Sequence, residues 1–182
     1  MASNRVAPEE LRGLGRGIWI AAVVIAGLFT VLASLFASGY AMEDPGGLAG
    51  LGLVALIMVP ILVGIALAVK APELAYRILL AVTALAIAVG VWQLIDPRSL
   101  HDWEFTNGPI TAIASFATML PLALTARIRM WECALMMLLV ALAILAPELR
   151  AGVHLGSSGA VALPMLFDAS LLGLAAALAP RR

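Results

Sequence analysis

Six apolar stretches of about 20 residues each leave this chain few ways to fold, because a helix of that length crosses the ~30 Å hydrocarbon core of a bilayer. In the 182-residue sequence they fall at 18–39, 48–69, 75–95, 109–126, 131–147 and 158–179, the fourth and fifth being the shortest. The breaks carry turn chemistry: EDPGG at Glu43–Gly47, KAPE at Lys70–Glu73, DPRS at Asp96–Ser99 and TNGP at Thr106–Pro109. The alternation of a barrel strand is absent, and a helix satisfies its backbone within itself. The expected fold is therefore all-α: a compact bundle of six transmembrane helices over 18–179. Residues 1–17 form a segment before it and 180–182 a short tail.

Composition agrees. With 63% hydrophobic and 12% charged residues and a mean hydropathy of +1.07, too few polar side chains remain to coat a soluble domain. Net charge is zero and no basic block suggests a nucleic-acid partner. The single cysteine, Cys133, excludes an internal disulfide. Lys70 stands alone against ten arginines, a bias that points to a GC-rich bacterial genome and so to a bacterial inner membrane.

Basic residues set the orientation. Arg5, Arg12, Arg16, Lys70, Arg77, Arg127, Arg129, Arg181 and Arg182 flank spans on one side, and only Arg98 and Arg150 lie on the other. By the positive-inside rule both termini are cytoplasmic. Trp19, Tyr76 and Trp131 fall at cytoplasmic ends of spans and Tyr40, Trp92 and Trp103 at outer ends, as interfacial anchors do. The first apolar run exceeds the core of a signal peptide and is read as a retained anchor.

No loop exceeds about fifteen residues, and the glycine-rich RGLGRG (Arg12–Gly17) and GGLAGLG (Gly46–Gly52) lack the context of a phosphate loop. HExxH, GxSxG and CxxC are all missing. Neither an enzymatic activity nor a cofactor is expected.

One residue resists the hydrocarbon setting. Asp168 lies near the centre of the sixth span, in ALPMLFDASLLGL. A central Asp costs roughly 2.5–3.5 kcal/mol on insertion, which the surrounding leucines offset at about 0.3–0.6 kcal/mol each. The span inserts, and the carboxyl is expected to turn inward, uncharged, since no cation lies at the centre of another span. The fourth span offers hydroxyls at helical spacing, Thr111, Ser115, Thr118 and Thr125, so a polar niche of Asp168, Thr111, Ser115 and Thr118 is expected. Pro164, one turn before Asp168, frees the carbonyl of Ala160 and opens room there. Small pairs such as Ala169/Gly173 suit close packing. The fifth span shows no polar stripe and is expected to face lipid over much of its girth.

At the outer rim, HDWEF (His101–Phe105) places His101, Asp102 and Glu104 together, with His154 in another outer loop. Imidazole and carboxylate suit zinc, but the spacing fits no established ligand pattern. A solvated loop is the simpler reading. Glu132 is expected to pair with Arg127 or Arg129.

These features favour a non-catalytic subunit or assembly partner of a larger membrane complex, in contact with lipid and with other membrane subunits or further copies of itself. The alternative is a small transporter or channel using Asp168 as an intramembrane proton, cation or substrate site. A metal-dependent or lipid-handling enzyme of the outer face is a distant third.

Overall fold

The computed structural model describes residues 11–43, 59, 62–96, 130–147, 149–150, 152 and 157–179. Every regular element among them is helical. We number them α1 (Leu14–Glu43), α2 (62–70), α3 (Pro72–Ile95), α4 (Met130–Pro147) and α5 (Ser157–Ala177). Both α3 and α4 are long and apolar enough to cross a membrane. The fourth expected span, most of the second, and the outer-rim residues His101, Asp102, Glu104 and His154 lie outside the described residues.

Helix boundaries follow local chemistry. The 30 residues of α1 run past both ends of the apolar stretch and include Arg16 and Glu43. At 1.5 Å per residue that is about 45 Å, the length of a bilayer with its headgroups. It is described as far as Glu43, and the sequence that follows, Asp44-Pro45, disfavours helix at the residue before the proline. Helix α3 starts with Pro72 in the first turn, where a missing N–H costs nothing, and carries Glu73 beside the positive end of the helix dipole. Ala71 alone separates it from α2.

Contacts between helices give their directions. Tyr76 donates a hydrogen bond from its hydroxyl to Glu132 Oε2, at the starts of α3 and α4. Gly90 lies against Ala143 further along, and Arg150 Nη1 donates to the carbonyl of Leu94 beyond the far end of α4. Helices α3 and α4 are therefore parallel. By contrast, Gly173 near the end of α5 faces Ala134 near the start of α4. Gly15 at the start of α1 faces Ala175 and Leu178. Thus α5 runs antiparallel to both α1 and α4, and the two ends of the described chain meet at one end of the bundle. Arg12, Arg16, Lys70 and Arg77 gather at that end, whereas Arg150 lies at the other.

Among the described helices α4 is the most buried, although the sequence shows no inward stripe in the fifth span. Half of it is buried (50%), against 17% of α3. Its inner arc carries Met130, Cys133, Ala134, Met136, Met137, Val140, Ala141 and Leu145, while Trp131, Leu135, Leu138 and Leu142 face outward. An all-apolar helix has no polar face to announce its inward side, and hydrocarbon gives no driving force for burying one leucine over another. Shape decides instead. The buried residues of α3 are Ala75, Leu79, Thr83 and Gly90, at intervals of four, four and seven residues.

Candidate functional site

Asp168 is the twelfth of 21 residues in α5, at the helix centre. It is fully buried, as expected from its cost in hydrocarbon. Its face is set by the helical period. Leu163, Phe167, Ser170 and Leu174 make an exposed stripe, and Ala162, Met165, Asp168, Ala169, Leu172 and Ala175 make the buried one. Ser170, on the outer stripe, satisfies its hydroxyl by donating to the carbonyl of Leu166 at 2.8 Å, one turn earlier. A carboxylate has no proton for that use.

Asp168 and Ala175 are seven residues apart, two turns, so they share a direction. Ala175 borders Gly15 of α1, which places Asp168 toward α1 as well. Seven and eleven residues up from that contact, at about 10.5 and about 16.5 Å, α1 presents Ala22 and Ala26, both fully buried. Gly15, Ala22 and Ala26 are at offsets 0, 7 and 11, one line along α1, and their small side chains let α5 approach closely. On the other flank, counting from the Gly173–Ala134 contact places Asp168 about 7.5 Å and Met137 about 4.5 Å toward the far end, roughly 3 Å apart in height. Met165 is higher, about 12 Å from the same contact.

The largest fully buried side chains of α4 and α5 are Met137, Val140, Cys133, Pro147, Met165, Leu172 and Asp168 itself. Both of its oxygens are inaccessible and neither has a hydrogen-bond partner among the described residues. Thr111, Ser115 and Thr118, the hydroxyls expected to complete the niche, lie outside those residues. Pro164 falls inside α5, half-buried, one turn before the carboxyl as anticipated. An unpaired buried polar group costs about 1–3 kcal/mol, so its retention at the centre of a packed bundle calls for a use.

Two further buried polar atoms lack partners among the described residues: Thr83 Oγ1 and Trp19 Nε1. Thr83 faces α4 on the same stripe as Gly90, so α4 separates it from α5. Trp19 was expected as an interfacial anchor, yet it turns inward and packs on the core. Trp92 and Trp131 are half exposed at opposite ends of the bundle, where anchors belong. Glu132 accepts from Tyr76, a pairing between residues 56 apart that no local pattern announces. The sulfur-lined interior was also overlooked, although the 0, 3, 7 spacing of Met130, Cys133 and Met137 is visible in the sequence. No metal-binding group of three or more His, Cys, Asp or Glu occurs among the described residues.

No protein-family model matches the chain, and neither a curated protein nor a solved structure shows significant similarity to it.

Proposed function

We propose that the chain is a six-span protein of a bacterial inner membrane, with both termini in the cytoplasm, and that it works as a small transporter or channel. Asp168 is its proton- or cation-handling group. The observation that carries this reading is the burial of an unpartnered carboxyl at the centre of α5, inside the chain's own fold. Ionisable groups held inside membrane bundles mark ion and proton pathways. The clustering of Arg12, Arg16, Lys70 and Arg77 at one end of the bundle supports the orientation.

The burial of Asp168 supports transport over the subunit reading that the sequence favours. A carboxyl meant for a basic residue on another protein belongs on the outer surface, and Asp168 is on the inner one. What still favours assembly is α3, whose Leu74, Ile78, Leu85, Val91 and Ile95 are exposed and can meet a neighbouring helix as readily as lipid.

Reconstitution into liposomes separates the two. Wild-type protein is expected to carry an ion or proton flux that Asp168→Asn abolishes while the variant keeps its fold. Absence of flux, with a foreign subunit bound in fixed stoichiometry on native mass spectrometry, would establish the assembly role instead.

A further inference from the structure

We propose that Trp19 of α1, with Leu171 of α5 across from it, is the gate that closes the Asp168 site toward the basic end of the bundle. The proposal rests on the reading of Asp168 as a proton- or cation-handling group and names the residue that controls access to it from one side.

The seam between α1 and α5 is layered. The contact of Gly15 with Ala175 and Leu178 marks its edge at the basic end, and Leu178 there is exposed. From that edge both helices lead inward, α1 with rising and α5 with falling residue number. Trp19 and Leu171 are each four residues on, about 6 Å in. Ala22 and Asp168 are each seven residues on, about 10.5 Å in. At 100° per residue Trp19 is turned about 40° from Gly15, and Leu171 about 40° from Ala175, so both remain on the faces that meet. Both are partly buried and pack on the core. Two large side chains thus form a layer, with Gly15 and Ala175 on its basic-end side and Ala22 and Asp168 beyond it.

The same period gives the flank. The two helices are right-handed and run in opposite directions, so Trp19 and Asp168 turn to one flank of the seam and Leu171 to the other. The indole therefore stands on the carboxyl's side, one layer nearer the basic end. Cα–Cβ bonds tilt toward a helix N-terminus, so Trp19 leans to the basic end and Asp168 away from it, toward Pro164. A tryptophan serving only as an anchor would lie half exposed, as Trp92 and Trp131 do. Trp19 instead has an inaccessible Nε1, on a face of α1 whose neighbours Gly15, Ala22 and Ala26 are small. Leucine would fill such a seam without burying a polar atom.

The test uses the full-length chain with Cys133→Ala and Ala22→Cys, so that its one thiol stands at the height of Asp168, which is kept. A charged, membrane-impermeant thiosulfonate is added to right-side-out and to everted membrane vesicles, and the rate of modification reads water access from each side. From the side of the basic end, modification should be slow with Trp19 intact. Trp19→Ala should raise it about 10-fold or more, and Trp19→Leu about 3-fold or more. Trp19→Phe, whose ring still fills the layer, should change it less than about 3-fold, and Leu28→Ala, on the exposed face of α1, should not change it. Rapid modification with Trp19 intact overturns the proposal. So does an increase as large in Leu28→Ala, or no increase in whichever of the alanine and leucine variants keeps its melting temperature. A flux lost in Asp168→Asn, with modification indifferent to Trp19, would keep the transport reading and remove the gate. Modification controlled by Trp19, with no Asp168-dependent flux of any cation, would keep the barrier and remove transport.

Discussion

Gly90→Ala probes the seam on which α3 depends. A methyl carbon built on Gly90 lies 2.6 Å from the carbonyl oxygen of Ala143, 2.9 Å from its Cβ and 3.0 Å from its Cα. Ordinary contact starts at 3.4 Å, so the two helices must separate by up to 0.8 Å (3.4 minus 2.6). The obstacle is backbone, which cannot rotate aside. A gap of 0.5–1 Å forfeits about a quarter to a half of the dispersion energy across a contact. The buried residues of α3 are few, Ala75, Leu79, Thr83 and Gly90, so the loss falls on a narrow contact. Overpacking of this kind costs about 1–3 kcal/mol, and the better helix propensity of alanine returns up to ~1 kcal/mol. A net destabilisation of about 1–2 kcal/mol follows. For a chain of this size that lowers the melting temperature by roughly 2–8 °C, measurable by thermal unfolding of the purified protein in detergent. Adding Ala143→Gly removes the 2.9 Å contact and leaves the carbonyl oxygen at 2.6 Å, so rescue should be partial. If Gly90→Ala proves more stable than wild type by its helix propensity alone, the two helices do not meet as described.

Four other substitutions address the polar groups. Tyr76→Phe removes the donor to Glu132 and should lower stability by ~1 kcal/mol, discounted for partial exposure, while Glu132→Gln keeps an acceptor and should lose less; equal losses in chemical-denaturation curves would show that charge, and not the hydrogen bond, matters there. Asp168→Leu replaces an unpartnered carboxyl by hydrocarbon and should raise stability by about 1–3 kcal/mol while abolishing flux. A lower melting temperature would mean that the carboxyl is partnered after all. Arg150→Ala uncovers the carbonyl of Leu94 at the end of α3 and should cost only ~0.5 kcal/mol, with faster hydrogen exchange confined to the last turn of that helix; unchanged exchange there would argue against the contact.

The stability gain expected of Asp168→Leu, set against its loss of flux, is how a functional group differs from a structural one. A polar contact between helices contributes ~0.6 kcal/mol on average in a membrane. Its removal should therefore destabilise slightly, the opposite sign.

Much of the architecture was legible in the order of residues. Apolar runs located α1, α3, α4 and α5 to within a few residues, because helix length in lipid is set by bilayer thickness and ended by Pro, Gly and charge. The inward turn of Asp168 was legible for the same reason, since a carboxyl facing hydrocarbon is too costly. Tertiary structure alone decided which of the described helices is most buried, that Tyr76 meets Glu132, and that the buried carboxyl has no hydrogen-bond partner among the described residues. In water, an amphipathic stripe tells each helix which way to face. In hydrocarbon that signal vanishes, and α4, apolar but for Glu132 at its start, packs through Ala134 against Gly173 and Ala143 against Gly90, contacts between residues far apart in the chain.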